Sequence, residues 1–388
     1  MTDEPTKAHE PQVTDDVGAA NVGADKPGPV QVPAMDNEKK NKRDAVIGAV
    51  FMAVVLVGFG VYVVATGQSE QLWHALQGVQ TGWVVAACAM MALYLGFGTL
   101  AFAIAAALDP KTPLGVMDLC AVEASGTFFG NLTPMMMGSV PAQIVVLVKE
   151  GLGAGEATAL QLTRFLMYQV AEVALCGGLL AVSWGYFTEH YGSVVWLNFV
   201  LFAIKFAQFA VTLCVCLFPH WVRRLANRLL DWVEQKGFKR LAPHVPEWRV
   251  AVDSQVEQFA SAFRGAVRHK RAMAAMFLAS AAQLSILYGS PWFILMAFGR
   301  PTPFLIAITA GALVQFVSNS IPLPGGTGGI EAAFAVFFGP LFGTAATAAY
   351  LVWRLVTFYG YTVLCGVATT FRTKKGGKSV NKRLGRLA

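Results

Sequence analysis

Charged residues are scarce in this sequence: only 14% of its residues are Asp, Glu, Lys or Arg, whereas 55% are hydrophobic. A soluble domain of 388 residues could not bury that much apolar surface in one core. Several apolar stretches reach the roughly 20 residues that cross a hydrocarbon layer of about 30 Å. The composition therefore predicts a membrane protein, with the clearest spans at Ala45–Ala65, Trp83–Leu108, Val194–Phe218, Ala272–Phe298 and Phe342–Phe371.

The sequence also lacks the patterns of most catalytic and cofactor sites. It has no metal-ligand spacing, no nucleophile elbow and no paired carboxylates in an aqueous domain. The glycines between 325 and 329 are not followed by the lysine of a phosphate-binding loop. The six cysteines are scattered through apolar sequence, which is typical of small packing residues. We therefore expect no enzyme activity, no catalytic residue, no cofactor and no metal.

Basic residues are concentrated outside the apolar stretches. The connector 219–271 carries eleven Lys or Arg against five Asp or Glu, and residues 372–388 carry seven against none. Cytoplasmic loops of membrane proteins are enriched in Lys and Arg, which explains this charge without a nucleic-acid partner. We expect a multi-pass protein of the cell (plasma) membrane with both termini in the cytoplasm.

Two apolar regions are interrupted by proline and glycine. The first, 119–148, contains NLTPMMMGSVPAQ, and the second, 303–338, contains NSIPLPGGTGGIEAAF. The two regions match at a spacing of 188 residues, and the match continues into the following spans with a slip of one or two residues. This agreement predicts an internal repeat, in which Asn131 pairs with Asn319, Pro134 with Pro322, Gly138 with Gly326, Gln143 with Glu331 and Arg164 with Arg354.

If the N-terminus, the connector and the C-terminus all lie in the cytoplasm, each broken region must return to the side it came from. This predicts an all-α polytopic fold with an inverted repeat of span, span, re-entrant hairpin and span. It has six full spans and two broken hairpins, or eight apolar segments. The expected divisions are 1–43 (disordered acidic cytoplasmic tail), 44–187 (first membrane repeat), 188–218 (outer loop and first span of the second repeat), 219–271 (basic amphipathic cytoplasmic connector), 272–371 (remainder of the second repeat) and 372–388 (basic cytoplasmic tail).

Ionisable groups inside a membrane are costly and are therefore candidates for function. If the repeat is inverted, its two arginines, Arg164 and Arg354, lie at different depths in the membrane. Arginines at two depths suit an anionic headgroup, because the guanidinium binds phosphate bidentately. Glu123 or Glu331 could balance their charge. Simpler roles stay open: Arg164 could reach the interface, Lys205 could form an internal salt bridge, and Glu331 could cap a helix. The expected substrate-binding residues are Asn131, Thr133, Pro134, Gly138, Gln143, Arg164, Lys205, Asn319, Pro322, Gly325, Gly326, Glu331 and Arg354.

Two motifs with the helices that follow them resemble a known family. They are NLTPMMMGSVPAQIVVLVKEGL followed by RFLMYQV, and IPLPGGTGGIEAAF followed by WRLVTFYGY. The sequence resembles the lysylphosphatidylglycerol synthase transmembrane region, also called the flippase-like integral membrane family, over nearly all of 45–371. In two-part members the membrane region moves aminoacylated phosphatidylglycerol, and a separate soluble domain synthesises it. The resemblance implies a stand-alone membrane part that lacks the synthase domain.

The resemblance and the two cationic depths predict a flippase-like protein that moves a polar phospho- or aminoacyl-lipid between leaflets. Anionic or aminoacylated phospholipids are its expected partners. Two alternatives stay open: a duplicated bundle without transport, and a non-transporting partner or scaffold for a lipid-modifying or glycosyl-transferring enzyme. The stretch WVRRLANRLLDWVEQKGFKRL in the connector predicts a basic amphipathic helix, lying either on the anionic inner leaflet or against the cytoplasmic ends of the bundle.

Overall fold

The computed structural model describes residues 73–74, 76–108, 112, 114–235, 245–320, 323 and 325–371. This part of the chain is helical and contains no strand. The predicted tails and the first predicted span, at 45–65, lie outside the described residues. The helices are α1 (Thr81–Ala106), α2 (Val116–Leu132), α3 (Ser139–Lys149), α4 (Ala154–Tyr191), α5 (Ser193–Leu217), α6 (Pro219–Gln235), α7 (Val245–Val267), α8 (Lys270–Ala297), α9 (Phe304–Ser320), α10 (Gly329–Phe342), α11 (Ala346–Arg354) and α12 (Tyr361–Ala368).

Among the described residues, four apolar helical segments are long enough to cross a membrane: α1, α4, α8 and the stretch Gly329–Ala368. The last is not one straight rod, because the rings of Phe334 and Trp353 lie 5.1 Å apart. Nineteen residues of continuous helix would separate these residues by about 28 Å. The chain reverses at Gly343, which has a φ of 60°, so α11 and α12, joined by a π-helical segment at Leu355–Gly360, form the spanning part. The protein is thus an all-helical, multi-pass membrane protein.

Both interrupted regions fold as two helices on either side of a break, as the sequence predicts. The first hairpin consists of α2 and α3, the second of α9 and α10, and in each the two arms pack together. Thr133 closes the first hairpin: its Oγ1 accepts the N–H of Gly138 at 2.8 Å and donates to the carbonyl of Phe129 at 2.8 Å. Part of the backbone that the break frees is therefore satisfied within the hairpin itself.

The tips of both hairpins contain residues with a left-handed backbone, but the residue types differ. In the second hairpin Gly325 and Gly326 have φ values of 64° and 66°, whereas in the first Met135 and Met136 have values of 51° and 57°. Glycine adopts this region freely, but for a residue with a side chain it costs on the order of 1–3 kcal/mol. The first hairpin therefore holds strain that the second avoids.

The second half of the chain repeats the packing of the first half. α1 packs on α2 as α8 packs on α9, and α2 packs on α12 as α9 packs on α4. The counterpart helices α1 and α8 also pack on each other. Near the start of α1, the Trp83 ring lies 5.6 Å from that of Trp292, whereas further along α1 a Cβ at Gly98 would overlap Gln283. These contacts run in opposite order along the two helices, so α1 and α8 are antiparallel.

The connector contains the two helices α6 and α7. α7 packs against α4, α5 and α8, and α6 packs on α7. Ion pairs join the two helices: Arg223 lies 2.5 Å from Glu257, and Arg249 lies 2.8 Å from Asp231, whose hydrogen bond raises the pKa of Arg249. Arg223 and Asp231 of α6 thus face α7, whereas the apolar residues Trp221, Leu225, Leu229 and Trp232 are exposed.

We expect the substitution Met135→Gly to stabilise the protein, because glycine adopts the backbone of the first hairpin's tip without strain. After allowing for the greater freedom of glycine in the unfolded chain, about 1 kcal/mol remains, or about 2 °C in the unfolding midpoint in detergent. Met137→Gly is the matched control, because Met137 is not left-handed, and it should lower the midpoint. Equal shifts for the two variants would contradict the assigned strain.

Candidate functional site

Two adjoining cavities lie between the hairpins and the spans. We call them the Arg164 chamber, of about 290 Å³, and the Arg354 chamber, of about 100 Å³, after the arginine in each wall. Each chamber has residues of both halves of the chain in its wall. The residues that line both chambers are Tyr94, Thr127, Met135, Met136, Tyr168, Glu172 and Asn319.

Arg164 forms a buried ion pair in its chamber. Only 7% of the residue is exposed, which excludes a role in reaching the membrane interface. Its Nη2 donates to both carboxylate oxygens of Glu123, at 3.1 Å each, and to Oε1 of Gln283 at 3.0 Å. The guanidinium carbon also lies 5.2 Å from the ring centre of Phe102 and 4.8 Å from that of Tyr168. The protein itself therefore neutralises the charge of Arg164.

Three glutamines extend this ion pair into a network. Gln283 donates to Oε1 of Glu123 at 2.7 Å, and Gln143 donates to its Oε2 at 3.5 Å. Gln161 in turn donates to Oε1 of Gln143 at 2.6 Å. Gly126 leaves the room that this arrangement needs, because a Cβ there would overlap the side chain of Gln143. The network joins α2, α3 and α4 to α8, so it crosses from the first half of the chain to the second.

Arg354 is buried without such a partner. The residue is 4% exposed, its Nη2 donates to the carbonyl of Gly325 at 3.2 Å, and its guanidinium carbon lies 4.0 Å from the ring centre of Phe358. Its buried Nε has no hydrogen-bond partner. Within the described part of the chain no carboxylate forms an ion pair with it. Because a buried charge without a counter-ion is costly, the Arg354 chamber favours an anion.

Two glycines and an asparagine shape the Arg354 chamber. A Cβ at Gly325 would overlap the ring of Phe358, and a Cβ at Gly326 would overlap Ser318. These positions therefore require glycine for space as well as for their left-handed backbone. Asn131 donates to Oγ1 of Thr362 at 2.7 Å, which ties the first hairpin to α12. The tips of both hairpins thus contribute to one chamber.

The structure brings together seven of the predicted binding residues in the walls of the chambers: Asn131, Gln143, Arg164, Asn319, Gly325, Gly326 and Arg354. Three others, Thr133, Pro134 and Gly138, form the turn of the first hairpin and line neither chamber. Pro322 and the side chain of Lys205 lie outside the described residues.

Glu331 forms a helix cap, which is the simpler of the two roles predicted for it. Its Oε2 accepts the N–H of Gly328 at 2.5 Å, and its Oε1 accepts the hydroxyl of Tyr350 at 2.5 Å. It therefore caps the start of α10, where a negative charge also interacts favourably with the helix dipole, and it lines neither chamber.

Several residues of the chambers lie outside the predicted binding set. Gln283 had a sequence signal, because it is the only amide in the apolar stretch 272–298. Glu123 was predicted as a possible counter-charge or as a ligand for a cationic part of a headgroup. Its partner in the structure, Arg164, follows from the packing of α2 near α4 and α8. The tyrosines Tyr94 and Tyr168 gave no signal, since aromatic residues are common throughout the spans.

Comparison with known proteins agrees with the predicted resemblance. A family model described as the lysylphosphatidylglycerol synthase TM region matches residues 46–365. This range covers most of the chain and includes both hairpins and both arginines. No curated protein and no solved structure matches the chain.

The substitution Arg164→Met should destabilise the protein by about 3–5 kcal/mol, because it leaves Glu123 buried without its counter-ion. The double substitution Arg164→Met/Glu123→Met should cost far less than the sum of the two single changes, since it removes both charges. Thermal unfolding in detergent measures the cycle.

The exposed pair of Arg264 and Glu257, 2.9 Å apart, supplies the matched control for this cycle. Arg264→Met should cost no more than about 1 kcal/mol, because water screens exposed ion pairs. If the costs of the two buried single substitutions simply add in the double variant, the assigned ion pair is wrong.

Proposed function

This chain belongs to the family of lysylphosphatidylglycerol synthase transmembrane regions, and we propose that it moves a polar, phosphate-bearing lipid from one leaflet of the membrane to the other. The main support is Arg354, buried in a chamber between the hairpins without an ion-pair partner among the described residues. A lipid phosphate would supply the negative charge, and the planar guanidinium can bind two of its oxygens. The proposal assigns no chemical step to the chain, which acts as a carrier and not as an enzyme.

The proposed architecture is an inverted repeat of six full spans and two re-entrant hairpins. The antiparallel packing of α1 and α8 supports it, because corresponding spans of such a repeat cross the membrane in opposite directions. A site between inverted halves can face either side of the membrane in turn, and both chambers have residues of both halves in their walls. In this arrangement Arg164 lies toward the inner leaflet and Arg354 toward the middle or outer half.

The proposed orientation follows from the charge of the connector and of 372–388. Both are strongly basic, so the positive-inside rule predicts that they lie in the cytoplasm. We propose that the N-terminus lies there too, and that the membrane is the plasma membrane of the cell. Anionic or aminoacylated phospholipids are the proposed substrates, in keeping with the family's description.

Transport can be measured in proteoliposomes that contain the full chain and fluorescent phospholipids, with loss of accessible label reporting movement. We expect wild-type protein to move at least one of phosphatidylglycerol, aminoacylated phosphatidylglycerol, a glycosylated phospholipid or a polyprenyl phosphate. Arg354→Gln should slow this movement at least tenfold, because the phosphate loses its buried partner. Arg354→Lys should give an intermediate rate, since an ammonium keeps the charge but not the planar fork.

Arg300→Gln is the matched control for this assay, because Arg300 is exposed in the loop after α8, and it should transport at the wild-type rate. Absence of movement for all four lipids, or wild-type movement by Arg354→Gln, would refute the proposal. The alternative of a non-transporting scaffold predicts the first of these outcomes.

We also propose that α6 lies on the anionic inner leaflet. Its ion pairs hold Arg223 and Asp231 against α7, while Trp221 and Trp232 are 75% and 50% exposed. Tryptophan is favoured at the membrane interface, and the exposed Arg224 and Arg228 beside them suit anionic headgroups. An exposed side that carries both tryptophan and arginine fits an anionic lipid surface better than it fits water.

Hydrogen exchange of α6 in nanodiscs tests this placement. We expect slower exchange in discs that contain anionic lipid than in discs of zwitterionic lipid alone, because the basic residues contribute to binding. Trp221→Ser/Trp232→Ser should raise exchange in anionic discs, whereas His220→Ser, at an exposed polar position, should not. Equal exchange in both kinds of disc, with protection only when a second protein is added, would instead assign this face to a protein partner.

A further inference from the structure

The two counterpart arginines have different surroundings. Arg164 bonds to both carboxylate oxygens of Glu123, whereas Arg354 bonds only to a backbone carbonyl, that of Gly325, and stacks on Phe358. Both arginines are nearly fully buried. The two arginines therefore differ in one respect: of the two, only Arg164 forms an ion pair with a carboxylate in the described part of the chain.

The repeat explains where the difference arises. The spacing of 188 residues that relates the hairpins places Gly311 at the counterpart of Glu123. A Cβ at Gly311 would overlap the backbone carbonyl of Tyr288 on α8, so no side chain of any kind fits there. In the first half the glycine lies on the other helix of the pair. Gly98 on α1 makes room for the carboxylate of Glu123 on α2. The packing of α9 on α8 therefore leaves Arg354 without a counterpart of Glu123.

The Arg164 chamber holds this carboxylate with donors that would also suit a phosphate. Arg164 donates to both oxygens, Gln283 donates at 2.7 Å, and Gln143 donates at 3.5 Å. Guanidinium and amide groups bind phosphate oxygens by the same geometry. A carboxylate and a phosphate oxyanion would therefore compete for the same donors.

We infer that Glu123 occupies the Arg164 chamber in place of the phosphate of a lipid headgroup, so that only the Arg354 chamber binds a lipid phosphate in this conformation. The inference rests on the proposed function. It predicts that each chain binds one lipid phosphate, at Arg354. The Arg164 chamber becomes a second phosphate site only when Glu123 loses its charge or leaves. The internal carboxylate thereby sets which of the two cationic positions a lipid occupies.

Native mass spectrometry counts the lipids directly. The probe is phosphatidylglycerol, titrated onto the delipidated full chain in detergent. We expect one bound lipid for wild type, two for Glu123→Gln and none for Arg354→Gln. Glu189→Gln is the matched control, because Glu189 is an exposed carboxylate at the end of α4, and it should bind one lipid.

A reciprocal variant tests the inference if Glu123→Gln does not fold. Gln315 lines the Arg354 chamber, so Gln315→Glu places a carboxylate there with almost no change in shape. It should weaken phosphatidylglycerol binding at least tenfold by competing for Arg354, whereas the same change at the exposed Gln80, Gln80→Glu, should bind within about twofold of wild type. Wild-type affinity in Gln315→Glu, or a single bound lipid in folded Glu123→Gln, would overturn the inference.

Two further measurements distinguish this inference from binding of a free anion and from failure of the proposed function. Millimolar inorganic phosphate should leave the bound lipid in place, and displacement of the lipid would assign the site to the free anion instead. The proteoliposome assay is independent of the lipid count. Transport with an unchanged count in Glu123→Gln contradicts only the role of Glu123, whereas the expected counts without transport contradict only the proposed function.

Discussion

A lipid bilayer offers no hydrogen-bond partners, so every polar group at its depth must be satisfied by the protein, by trapped water or by a ligand. This constraint governs both hairpins and both chambers. Thr133 bonds to the backbone that the first break frees, Glu331 caps the helix after the second break, and Glu123 neutralises Arg164. Arg354 is a buried charge that has no ion-pair partner among the described residues, which is why we assign the site there.

The chambers also join the two halves of the chain. Gln283 on α8 bonds to Glu123 on α2, and Asn131 on α2 bonds to Thr362 on α12. Any movement that exposes a chamber to one side of the membrane has to break or exchange such bonds. Buried polar contacts in a low-dielectric interior are costly to leave unpaired, so we expect two discrete arrangements of the halves and not a continuous opening.

The sequence predicted those features that proline, glycine and charge determine locally. The two hairpins and the burial of Arg354 follow from such signals. The ion pair of Arg164 with Glu123 did not, because it joins residues 41 positions apart and depends on how α2 packs on α4. Pro134 breaks the helix as predicted, but it is exposed and lines neither chamber. A residue that shapes a turn need not contact what the turn encloses.

Gly98 and Gly311 give the two halves complementary roles. Gly98 on α1 accepts a carboxylate from α2, whereas Gly311 on α9 accepts backbone from α8. A protein assembled from two copies of the first half would hold two closed ion pairs and no open chamber. One assembled from two copies of the second half would bury two arginines with no carboxylate between them. Each half therefore supplies a packing arrangement that the other lacks.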